Sequence, residues 1–191
     1  MNLFAMNPVS LISSLALRLV DCGINKANDE RRLRELKLLA HERIARELFW
    51  NLECLSSRAK DQERRVYLRL LRTEAFDELV KIGAPLDQIF DSPIVSLVGV
   101  PSESISKLLR RRLNGVHRVS MLLDRTYNRI WMLHHRLKND LSIGDIPYLR
   151  QLVKLSLTEV SAARRELKSA DALGHQIDSP NTMLSSEDAI W

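Results

Sequence analysis

Residues 102–139 read SESISKLLRRRLNGVHRVSMLLDRTYNRIWMLHHRLKN, and the spacing of their apolar side chains decides the fold class. Val116, Val119, Leu123, Tyr127, Ile130, His134 and Leu137 recur at steps of three and four, the period that keeps one stripe of a helix against a neighbour. Ser102 and Glu103 supply a helix start, so the pattern predicts one long helix ending near Asn139. A stripe of this kind requires partner helices.

Working outward from that segment supplies them. After Asn139, Asp140 and Gly144, a further helix is predicted from Asp145 or Ile146, with Pro147 in its first turn, where a missing N–H costs nothing. Its seam is Leu149, Val153, Ser156, Val160, Ala163, Leu167 and Ala170. The shared repeat predicts that these two helices form an antiparallel, left-handed pair. Upstream, Leu33, Leu36, Ala40, Ile44, Leu48, Leu52, Leu55 and Ala59 advance mostly by fours and predict a helix over about 29–60. Val66, Leu70, Ala75, Leu79 and Ile82 predict another over 63–82, ended by Gly83 and Pro85. Residues 84–101, with three prolines, are expected to be an irregular connection over one end of the bundle. Asn7 and Pro8 open an amphipathic stretch that reads as a helical extension.

The expected architecture is all-α: an up-and-down antiparallel four-helix bundle over residues 29–170, an N-terminal helical extension over 1–28 and a flexible tail over 171–191. That tail ends in SSEDAIW, which reads as a disordered end. Composition agrees with the helices. The chain has 191 residues with six glycines and six prolines, and 45% hydrophobic with 28% charged residues excludes both a disordered chain and a membrane-embedded one. Phe49, Trp50 and Trp131 flank the seams and are expected at core edges. The apolar opening is interrupted by Arg18, too early for a membrane span, so neither a transmembrane segment nor a signal peptide is expected. Cys22 and Cys54 would lie about 48 Å apart on one continuous helix and could not bridge, which fits a reducing cytoplasm.

Charge supplies the sharpest functional feature. Lys107, Arg111, Arg118, Arg125, Arg129 and Arg136 fall at steps of four and seven, a row about 44 Å long opposite the seam of a continuous helix. The segment 103–139 holds nine Lys or Arg against two acids, so it alone exceeds the formal +5 of the whole chain. Such a row can follow a nucleic-acid backbone, an anionic lipid surface met peripherally from the cytoplasm, or an acidic protein face. No stacking aromatics are visible beside the arginines, and no zinc-finger or helix-turn-helix spacing occurs, so base-specific reading is not expected. Phe4, Ile12, Leu15 and Leu19 would anchor the N-terminal helix to a partner or a membrane surface.

Two Arg and His pairs with four residues between them, Arg112 with His117 and Arg129 with His134, also occur. This spacing resembles the arginine-to-histidine motif of the HEPN ribonucleases, which are helical and usually dimeric. The resemblance covers only these residues, with Leu113 and Ile130 where that family commonly has a polar residue. It implies a histidine moving a proton while a guanidinium holds developing phosphate charge. No glutamate is followed three residues later by histidine, His134 and His135 diverge on a helix, and no phosphate-cradling glycine loop occurs, so no metal or cofactor is expected. The reading favoured by the sequence is a non-enzymatic helical interaction module with a protein partner or a second copy of itself. The alternatives are a HEPN-like ribonuclease and a peripheral polyanion binder.

Overall fold

The computed structural model describes residues 26–59, 61–95 and 111–177. Its helices are α1 (Lys26–Ser56), α2 (Asp61–Arg69), α3 (Glu74–Lys81), the single turn α4 (Leu86–Ile89), α5 (Val119–Lys138) and α6 (Ile146–Ile177). Among the described residues there is no strand, only an isolated antiparallel bridge between Pro93 and Arg118. The chain is all-helical, as its periodicity predicts. Phe4, Ile12, Leu15 and Leu19 lie outside the described residues, as do Cys22, Lys107 and the stretch 178–191. Helix α6 itself runs past residue 170, where the flexible tail was expected to begin.

Helix α1 organises the core. Leu36, Ala40, Ile44, Leu48 and Leu55 are buried along it, and so are His41, Ala45, Glu47, Asn51 and Cys54. Steps of four turn about 40° beyond a full circle, so the buried stripe winds around the helix and offers its sides to several neighbours. Consequently α1 touches α6, α2, α3 and α4. The most extensive helix contact in the molecule joins α1 and α6. The contact between α5 and α6, the two helices expected to pair, comes second among the described residues. Small side chains mediate that second contact: the hydroxyls of Thr126 and Ser156, both fully buried, lie 2.8 Å apart, and each also donates or can donate to its own helix backbone.

Two predicted helices are broken, each for a legible reason. The single helix expected over 63–82 divides into α2 and α3 at residues 70–73. The amide of Asn51, projecting from α1, donates to the Arg72 carbonyl at 2.8 Å and accepts from the Arg72 N–H at 2.7 Å, satisfying both polar groups of a non-helical residue. The Trp50 indole N–H donates to the Leu70 carbonyl at 2.8 Å, and the Arg72 guanidinium sits 4.5 Å from the Trp50 ring centroid. One Glu47 carboxylate oxygen accepts from the Ala75 N–H at 2.8 Å, occupying an orphan donor at the start of α3. The break rotates Val66 and Leu70 out of the expected seam, leaving them 58% and 46% exposed, and Leu68 and Leu71 are buried instead. The predicted exit stands: Gly83 at φ +66° closes α3, with its N–H on the Val80 carbonyl and the Ala84 N–H on the Leu79 carbonyl.

The long helix expected over 102–139 is also interrupted. Residues 113–115 form a turn, with Gly115 at φ +82°, and Arg118 is extended before α5 starts at Val119. A left-handed glycine ends a helix readily, because no Cβ opposes that conformation. The chain then pairs with the connection before it: the Ile94 N–H reaches the His117 carbonyl, while the Val119 and Ser120 N–H groups reach the carbonyls of Ser92 and Phe90. These long-range bonds satisfy donors of the first turn of α5 that an unbroken helix would have satisfied internally.

Candidate functional site

The break at Gly115 changes what the arginines can do. A 44 Å row on one rod is not present: Arg111 lies before the turn, exposed, and Arg118 sits extended at the start of α5. Arg125, Arg129 and Arg136 are carried by α5 at steps of four and seven, and the turn brings Arg112 back beside them. The Arg125 guanidinium donates to the Arg112 carbonyl and so braces that turn.

The result is a pocket of about 210 Å³ at the junction of the 111–115 turn, α5 and the start of α6. Arg112, Arg129 and Arg136 line it together with Asp145 and Tyr148, over an apolar floor that includes Leu133, Ile146 and Leu149. Tyr148, buried in the wall, holds two guanidiniums against its ring, that of Arg112 at 4.6 Å and that of Arg129 at 5.8 Å from the centroid. The aromatic partner missing from the local sequence therefore arrives from the next helix. Cation–π contact favours a guanidinium over a ring face and reduces the freedom of both arginines before any ligand arrives.

The remaining contacts are polar. Arg112 pairs with Asp145 at 3.2 Å, both side chains being about 41% exposed, a pair that adds little to stability because water screens it. Asp145 also caps α6, its other carboxylate oxygen accepting from the Tyr148 N–H at 3.0 Å. Arg136 donates to the Ser142 carbonyl at 3.3 Å. Its Nη1 also passes so close to Gly144, at φ +78°, that a Cβ there would stand 3.1 Å away. Among the described residues, neither Arg129 nor Arg136 has a carboxylate within ion-pairing distance. Among the described residues, Asp145 is thus the single acid lining a pocket with three guanidiniums.

The two Arg and His pairs do not assemble within the chain. Arg129 lies over Tyr148, whereas His134 leaves α5 on another side, beside the Leu71 backbone and the carboxylates of Glu74 and Asp77. Burial lowers the His134 pKa against the opposing pull of those acids. Arg112 faces Asp145 and Tyr148, while the His117 ring lies 3.1 Å from the Gly115 carbonyl.

Other buried polar groups lie away from this pocket. Burial raises the Glu47 pKa, opposed by the Ala75 N–H, and drives the Tyr127 hydroxyl well above its ordinary value, with the Glu47 charge adding to that shift. Glu47 and Tyr127 influence one another electrostatically, although neither Glu47 Oε1 nor the Tyr127 hydroxyl makes a hydrogen bond of normal geometry. Burial likewise lowers the His41 pKa, whose ring lies against Phe90 with Nδ1 on the Lys37 carbonyl at 2.7 Å. Among the described residues, no group of three His, Cys, Asp or Glu side chains is placed to hold a metal, and no helix is long and apolar enough to cross a membrane. No protein-family model, curated protein or solved structure matches the chain.

Proposed function

We propose that this chain is a non-enzymatic helical interaction module, an up-and-down antiparallel bundle whose arginine pocket grips an acidic segment of a protein partner. One observation carries the reading: three guanidiniums from two separate segments converge on one concavity with, among the described residues, a single carboxylate beside them. Contact numbering supports the antiparallel arrangement of α5 and α6, since Thr126 meets Ser156, Arg129 meets Tyr148 and Arg136 meets Gly144. Cys54, a free and buried thiol, suits a reducing compartment such as the cytoplasm.

Fluorescence anisotropy with labelled polyglutamate tests this reading. Binding should be saturable, should weaken several-fold as salt rises from about 50 to 200 mM, and should disappear in the Arg129→Glu/Arg136→Glu variant. Binding that ignores both salt and charge reversal overturns it. Preference for an RNA oligonucleotide or for phosphatidylglycerol vesicles over polyglutamate would assign the same arginines to a different polyanion and equally overturn the protein-partner reading.

A further inference from the structure

We propose that the arginine pocket is a receptor for the phosphate of a phosphomonoester. The inference rests on the reading of the pocket as the place where an acidic group docks, and it specifies the chemistry of that group. Charge comes first. Asp145 offsets one of the three guanidiniums, so the lining carries two net positive charges. The N-terminus of α6, a helix of 32 residues, opens on the same place and adds a partial positive charge. A carboxylate would neutralise one of these charges, as would a phosphodiester of a nucleic-acid backbone. A phosphomonoester, at close to two negative charges near neutral pH, matches both.

Hydrogen bonding points the same way. Guanidinium forks suit phosphate oxygens, and a terminal phosphate has three to offer, enough for arginines approaching from the 111–115 turn and from two turns of α5. Asp145 occupies Arg112 in the meantime as an internal acid. Tyr148 restrains Arg112 and Arg129, and the Ser142 carbonyl with the bare Cα of Gly144 restrains Arg136, so the donors are held before binding. The apolar floor accommodates the carbon stem that carries the phosphate.

Titration of the full chain with phenyl phosphate and benzoate, two probes that share an aromatic stem and differ in the anion, separates the possibilities. Arginine Nε–H and Gly144 amide resonances should shift saturably with phenyl phosphate, and benzoate should bind roughly tenfold more weakly. The phenyl phosphate affinity should also fall between pH 7.5 and 5.5, as the dianion gains a proton with a pKa of about 6; among the described residues the lining supplies no histidine, and its carboxylate is Asp145. Arg129→Ala/Arg136→Ala should abolish the shifts. The source is a phosphorylated side chain of the protein partner; preference for phosphatidic acid vesicles over a phosphoserine peptide would keep the phosphate assignment but overturn the protein-partner reading. Equal affinity for benzoate, or shifts that persist in the double arginine variant, would overturn the phosphate assignment. If polyglutamate still binds in that case the docking reading survives, and if it does not, both fall.

Discussion

The segment of α1 around Asn51 and the pocket around Tyr148 are two polar regions of this molecule that spend their hydrogen-bonding capacity in opposite ways. At the first, Asn51 is fully buried and its amide is matched donor to acceptor by the Arg72 backbone, with Trp50 and Glu47 holding Leu70 and Ala75 on either side. At the second, the guanidiniums are restrained by a ring and by backbone carbonyls, yet two of the three face the pocket without a carboxylate among the described residues. A buried polar group without partners is costly, so evenly matched groups mark a structural joint. Charge that is positioned but not neutralised is available to a ligand. Substitutions in the first region should therefore change stability, and those in the second should change binding.

The largest expected effect follows Asn51→Leu. It removes both partners that Asn51 gives to the Arg72 backbone, and urea denaturation should show a loss of about 1–3 kcal/mol. A loss below about 1 kcal/mol would mean that the break between α2 and α3 needs no clamp. Next comes Gly144→Ala, where a Cβ is opposed both by the positive φ and by the Arg136 guanidinium. We expect about 1–2 kcal/mol of destabilisation, with weaker anion binding as Arg136 is displaced, making this position the one that couples the two kinds of effect.

Two pH effects of opposite sign sharpen the comparison further. Glu47 has a raised pKa in the folded protein, so its contribution is most favourable below the ordinary glutamate value near 4.5 and is lost as pH rises through the folded pKa. Glu47→Gln should remove that decline, and the stability difference between variant and parent, measured by urea denaturation, should grow in favour of the variant from pH 4.5 toward neutrality. His41 and His134 have lowered pKa values, so their contribution is present above the ordinary histidine value near 6.5 and is lost as pH falls through the folded values. His41→Asn should flatten the acid side of the same curve. The smallest effect on stability belongs to Arg129→Ala/Arg136→Ala, expected within about 0.5 kcal/mol of the parent despite the loss of anion binding. A large destabilisation there would make the pocket a structural joint like the first region.

Much of the helical frame was legible in advance. Val119, Leu123, Tyr127, Ile130 and Leu137 are buried on α5, as are Leu149, Val153, Ser156, Val160 and Ala163 on α6, because burial at helical spacing is a local pattern that survives changes elsewhere. Leu167 and Ala170 lie beyond the packed part of α6, half-buried and exposed. Phe49 and Trp50 are exposed rather than tucked at the core edge, since Trp50 reaches across to the Leu70 backbone; Trp131 packs against Phe76 as expected. Of the arginine row, Arg129 and Arg136 reach the pocket, and Arg112, read from the sequence only as half of an Arg and His pair, proves to be their companion. Asn114-Gly115 was the available signal for the break, yet the apolar spacing on both sides continued in phase across it and concealed it.

What the sequence by itself determined was the type of element and which stripe of each helix turns inward, since both follow from a 3.6-residue period acting over neighbouring turns. Where those helices stop, and which arginines meet, was decided only in the tertiary structure. A helix ends early when distant groups such as Asn51 or the Ser92 carbonyl take over its backbone partners, and Tyr148 gathers two guanidiniums only once α6 packs against α5. Those energies come from residues far apart in the chain, which no local pattern contains.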